Sequence, residues 1–160
     1  MASTGSKIGI GIGIAGAIIG VGVAILASLS PETLFSMTGM SSEVSGSFEA
    51  TGGQVGTWKL EPDRCKSGER DGFFGVWLSK KGDSEHWVKV AKDPTTGKNV
   101  VTVKIPNTQK ARVFRKCKVL NASVRRTNTR VNRIWVVKGD VEIDCPDEGF
   151  KGKVAFDNCY

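Results

Sequence analysis

Histidine is nearly missing from this chain. His86 is its only imidazole and Tyr160 its only tyrosine. An imidazole-based catalytic constellation therefore has one candidate, and a lone histidine opening a β-prone run is ordinarily a rim residue. Cys-x-x-Cys spacing is missing too, and with it the clustered soft ligands that a structural zinc site needs. Ser67-Gly68-Glu69 lacks the context of a nucleophile elbow. Asp63, Glu69 and Asp71 form an acidic run near Cys65 that could gather round a cation, although such a run is more often a solvated loop. These absences point to a protein that is not an enzyme and carries neither cofactor nor metal.

Charge is absent from residues 8–29 (IGIGIGIAGAIIGVGVAILASL). Twenty-two residues at about 1.5 Å each reach about 33 Å, close to the roughly 30 Å of a bilayer's hydrocarbon core. Lipid offers the backbone no hydrogen-bond partner, so the stretch is expected to be a transmembrane helix despite its glycines. A leader cleaved after Ala27 is the competing expectation. Lys7 precedes the span and Glu32 follows it, which predicts a short cytoplasmic tail (1–7) and a large domain in the periplasm or outside the cell. Gly9, Gly13, Gly16, Ala17, Gly20 and Ala24 form a stripe of small residues on one helix face, suited to close docking of a partner helix, its own copy or another subunit. Ser30-Pro31-Glu32 has the N-cap and first-turn chemistry of a short juxtamembrane helix over 30–40. Residues 41–55 are rich in Ser and Gly and are expected to be a linker.

Residues 56–160 are polar and β-prone. Runs such as Val101-Thr102-Val103-Lys104-Ile105 and Val141-Glu142-Ile143-Asp144-Cys145 alternate with period two. Turn signals between them include Lys81-Gly82-Asp83, Asp93-Pro94 and Lys138-Gly139-Asp140. Eight or nine short strands predict an antiparallel all-β sandwich or barrel. Trp58, Trp77, Trp87 and Trp135 are expected in its core, the other use of such rings being a sugar-binding platform. Cys65, Cys117, Cys145 and Cys159 make an even set, which predicts two disulfides and an oxidising compartment. Of the three connectivities, Cys65–Cys117 with Cys145–Cys159 is preferred because it closes a short C-terminal loop.

Acidic residues are absent between 110 and 138, where Lys110, Arg112, Arg115, Lys116, Lys118, Arg125, Arg126, Arg130, Arg133 and Lys138 lie. With a net charge of +7, this tract is the candidate anion-binding surface, for anionic lipid headgroups, a glycolipid or another polyanion. It lacks the interleaved aromatics of a single-strand nucleic-acid groove, and nucleic acid is not an expected partner across a membrane.

Residues 67–76 (SGERDGFFGV), 126–132 (RTNTRVN) and Phe156-Asp157-Asn158-Cys159 resemble small, uncharacterised bacterial envelope proteins over roughly residues 56–160. The resemblance implies an extracytoplasmic β-domain and brings no activity with it. An apolar helix followed by a β-domain with a Cys145–Cys159 loop also resembles type IV pilins, which implies a filament subunit. Pro31, and the lack of an early Glu in the apolar helix, depart from that outline. The expectation is thus a non-enzymatic, single-pass envelope protein, an accessory subunit docked through its glycine face. A filament subunit and a module binding anionic glycolipid are the alternatives.

Overall fold

Alternating burial organises the domain. Val101 and Val103 are fully buried, and Val141, Ile143 and Cys145 nearly so, while Thr102, Glu142 and Asp144 between them face outward. A period of two puts one face of each strand into a core and the other into solvent. The computed structural model describes residues 41–160, and Ser42–Tyr160 form one structural unit. The expected cytoplasmic tail (1–7), transmembrane helix (8–29) with its small-residue stripe, and juxtamembrane helix (30–40) lie outside the described residues. Among the described residues no helix is long and apolar enough to cross a membrane.

Ten strands build two five-stranded antiparallel sheets. The first contains, in spatial order, β2 (Thr57–Leu60), β1 (Glu43–Thr51), β10 (Phe150–Cys159), β9 (Ile134–Cys145) and β8 (Val119–Val131). The second contains β3 (Arg64–Ser67), β4 (Gly75–Ser79), β5 (Trp87–Lys92), β6 (Asn99–Lys104) and β7 (Ala111–Phe114), each beside the next. Phe48, Leu60, Ile143, Phe150 and Val154 from the first sheet meet Val76, Leu78, Val88, Val90 and Phe114 from the second in one core. Phe150 is central, with ring centroids 5.8 Å from Phe48 and 5.4 Å from Phe114. The expected all-β, two-sheet architecture is therefore present.

Four expectations need correction. Residues 41–55 are not a linker: Glu43–Thr51 is a full strand between β2 and β10, and Phe48 is completely buried. Its Ser and Gly content hid the strand, because only Val44, Phe48 and Ala50 carry the apolar pattern. Lys138-Gly139-Asp140 is not a turn but the middle of β9. Gly139 is there because the backbone sits at φ 156° and a Cβ would run into the Ser123 carbonyl. The reversal instead falls at Asn132-Arg133, both with positive φ (49° and 69°), as a two-residue primed hairpin turn requires.

The third correction concerns the cysteines. The bridges are Cys65–Cys159 and Cys117–Cys145 rather than the preferred pairs. Cys145 opposes Phe150 at the start of β10, and Cys159 ends that strand nine residues later, about 30 Å away. Cys159 instead reaches across the core to Cys65 in the other sheet. Cys117 precedes Val119, which opposes Asp144, so it lies beside Cys145. The C-terminal disulfide loop behind the likeness to pilins does not form. By loop length, the 94-residue closure is worth roughly 4–5 kcal/mol and the 28-residue one roughly 3–4 kcal/mol.

Finally, none of the four tryptophans is among the fully buried core residues; all are half-buried. Trp58 packs on the core's rim, 5.8 Å from Phe150 and 5.1 Å from His86, and its Nε1–H donates to the Val55 carbonyl (2.7 Å). Trp77 and Trp87 follow the outward phase of β4 and β5.

Phe48→Ala should cost about 3–5 kcal/mol in urea unfolding. A loss under 1 kcal/mol would return residues 41–55 to the status of a tether. Gly139→Ala should destabilise by more than about 1 kcal/mol by the same measurement, since neither the φ angle nor the Ser123 carbonyl leaves room for a methyl group.

Candidate anion-binding site

The basic tract divides when its partners are traced. Arg112 donates to Glu148 (2.7 Å), Arg115 pairs with Asp93, and Lys118 lies 3.8 Å from Asp144. These three stand beside carboxylates that offset their charge. Lys116, Arg125, Arg130, Arg133 and Lys138 make no ion pair with an acidic residue among the described residues. Four of those five belong to the β8–β9 hairpin. Arg125 and Lys138 are direct cross-strand neighbours of like charge, an arrangement unfavourable by itself and relieved by an anion.

Arg126 behaves differently. Its Nε and Nη2 both donate to one oxygen of Glu69, at 2.9 and 2.5 Å. The other Glu69 oxygen accepts the Trp135 backbone N–H at 3.0 Å. Glu69 comes from the turn after β3, so this carboxylate ties the second sheet to the hairpin of the first. Rings and guanidinium groups alternate around it. Arg126 lies 5.6 Å from the Phe74 ring centroid and 5.9 Å from that of Trp135, and Arg130 lies 4.4 Å over Trp135. Such cation–π contacts are worth about 0.5–1 kcal/mol each at exposed sites.

The hairpin reaches this arrangement through a bulge. Arg126 opposes Val137 while Arg130 opposes Trp135, so β8 carries two extra residues over that interval. Bulges re-aim side chains, and here both arginines reach the same indole. The result is an open groove of about 490 Å³ lined by Glu69, Gly72, Phe73, Phe74, Arg126, Arg130 and Trp135. Its chemistry is that of recognition: fixed cations beside planar apolar surface.

Burial by itself pushes the Glu69 carboxyl up. The Trp135 N–H, the Arg126 hydrogen bonds and the positive charges of Arg126 and Arg130 outweigh it and hold the group below its ordinary 4.5. A second buttressed carboxylate, Asp83, accepts from the backbone N–H groups of Glu85 (2.8 Å) and His86 (3.0 Å) and lies 2.8 Å from His86 Nδ1. Burial opposes its ionisation, but these hydrogen bonds and the imidazole keep it below 3.8. His86 is thus engaged in a local turn and packs tilted against Trp58. Asp63 is engaged as well, accepting the Lys81 N–H at 2.7 Å.

Of the anion-binding candidates, Arg125, Arg126, Arg130 and Arg133 come together on one hairpin, whereas Arg112, Arg115, Lys116 and Lys118 lie in β7 or the loop after it. Phe73 and Phe74 were not expected as site residues, Glu69 was expected only as part of a cation-binding run, and Trp135 only as a core residue or part of a sugar-binding platform. The signal for the two phenylalanines was the polar, aromatic run of residues 67–76.

Lowered carboxyl pKa values stabilise the fold above their unfolded values and lose that contribution as pH falls through the folded ones. Unfolding midpoints should therefore be level above about pH 5 and drop below about pH 4. Glu69→Gln should flatten part of that drop and cost about 1–3 kcal/mol at neutral pH. Identical pH profiles for the two proteins would contradict the placement of Glu69. Compared with protein-family models, with curated proteins and with solved structures, the chain finds no match in any of the three.

Proposed function

We propose that this chain is a non-enzymatic, single-pass envelope protein whose extracytoplasmic β-sandwich is a binding module for an anionic partner. One observation carries the proposal: Arg130 lies over Trp135 beside Arg126 in an open groove, and Arg125, Arg133 and Lys138 on the same hairpin make no ion pair among the described residues. A surface meant only to stay soluble has no need to set two guanidinium groups over an indole and add three further cations on the same hairpin. Arg126, held by Glu69, is fixed beside Phe74 and Trp135 in that groove.

Two further features support the setting. All four cysteines are bridged, which suits an oxidising compartment. The uncharged run 8–29 suits an anchor that leaves the domain on that side. Docking of the small-residue face on another helix would make the chain an accessory subunit, with the hairpin as its outward surface. That second role rests on Gly9, Gly13, Gly20 and Ala24 alone.

The full chain in non-ionic detergent should be retained on an immobilised polyanion and eluted by salt, since screening shortens the reach of exposed charges to about 8 Å at physiological ionic strength. Arg125→Glu/Arg130→Glu/Arg133→Glu should abolish retention while the protein stays folded, with about 1–2 kcal/mol of stability lost with the Arg130–Trp135 contact and Arg130's charge beside Glu69. Lys116→Glu, outside the hairpin, should change retention little. Retention that survives both salt and the triple substitution would end the proposal.

A further inference from the structure

We infer that the anionic partner is a polysaccharide, bound along a strip that extends from the hairpin groove across the outer face of the second sheet. This rests on the anion-binding reading and names the ligand class for it. The outward phase of the strands places Lys66, Trp77, Lys89, Thr102 and Val113 in one cross-strand row, residue opposite residue. Inward neighbours Val76, Leu78, Val88 and Val90 are fully buried, so the row faces away from the core. Trp87 joins it from the next row, its ring centroid 4.4 Å from that of Trp77.

Lys89 links this row to the groove. Its Nζ lies 3.7 Å from the Phe73 ring centroid, and Phe73 lines the groove with Phe74, Trp135, Arg126 and Arg130. Aromatic surface and cation thus run together from Trp87 and Trp77, through Lys89 and Phe73, to Trp135 and Arg130. Lys66 and Lys89 have no acidic partner among the described residues.

Acidic sugar chains offer what this strip can use: ring faces bearing C–H groups for the indoles and regularly spaced carboxylates or sulfates for the cations. A lipid surface would call for apolar side chains that protrude, and Val113, 44 % exposed, is the only exposed large hydrophobic residue among those described. The paired tryptophans are half-buried instead. Single-stranded nucleic acid has similar demands of charge and stacking, but the bridged cysteines point to a compartment where polysaccharide is the common anionic polymer.

The test titrates the full chain in non-ionic detergent with four probes: polygalacturonate, inorganic polyphosphate of equal charge, oligothymidylate, and detergent micelles doped with phosphatidylglycerol. Polygalacturonate should bind about tenfold more tightly than polyphosphate, the worth of one or two aromatic contacts. Trp77→Ala and Trp87→Ala should each remove most of that preference while leaving polyphosphate binding unchanged, which also reports that the variants are folded. Equal affinity for the two polymers overturns the ring-stacking inference and leaves the anion-binding proposal standing. Tighter binding of oligothymidylate or of doped micelles overturns it in favour of that class. Failure of every probe overturns both.

Discussion

Everything in this domain depends on the two-residue pleat of its strands. One phase of the alternation fills the space between the sheets with Phe48, Phe150, Phe114 and a set of fully buried valines. The other phase has to be polar or be used, and on the two sheets it has been treated differently. Outward positions of β1, β9 and β10 carry an exposed lattice of opposite charges, including Lys151–Glu49 and Lys153–Glu142. Pairs of this kind add little stability but keep a face soluble. Outward positions of β4 and β5 carry tryptophans and a lysine instead, which a solubility requirement does not explain.

Stabilising elements are placed where the pleat alone is weak. β3 is four residues long and lies at an edge, and its Cys65 is tied to the end of β10. The loop between β7 and β8 is held by Cys117–Cys145 and by the Arg115–Asp93 pair. At the hairpin, Glu69 reaches from one sheet to Arg126 and the Trp135 N–H on the other. That carboxylate has two effects: it joins the layers, and it fixes one guanidinium group beside Trp135. The bulge in β8 supplies the reach.

Fold class was legible because its signal is local. Val101 to Lys104 and Val141 to Cys145 alternate so cleanly that strand and face could be read together. β1 was not legible, since four of its nine residues are Ser, Thr or Gly and its burial comes from partners a hundred residues away. Disulfide connectivity failed for the same reason: closeness in sequence between Cys145 and Cys159 is undone by a hairpin that sends them to opposite ends. Within the site, the arginines were visible as charge, but which of them remained unneutralised depended on Glu148, Asp93, Asp144 and Glu69, all distant in sequence. The tryptophans were misassigned to the core because hydrophobicity does not report the phase of a strand.

Four indole N–H groups provide the most direct test of the central claim, that the hairpin and the outer face of the second sheet form one anion-binding surface. Trp58 is the internal control, its Nε1–H held by the Val55 carbonyl on the core's rim. In the proton–nitrogen correlation spectrum of the full chain in detergent, a saturating polyanionic sugar should move the Trp135, Trp77 and Trp87 indole signals together and leave Trp58 in place. Movement of Trp58 alone, or an unchanged spectrum in the presence of bound ligand, would contradict the account.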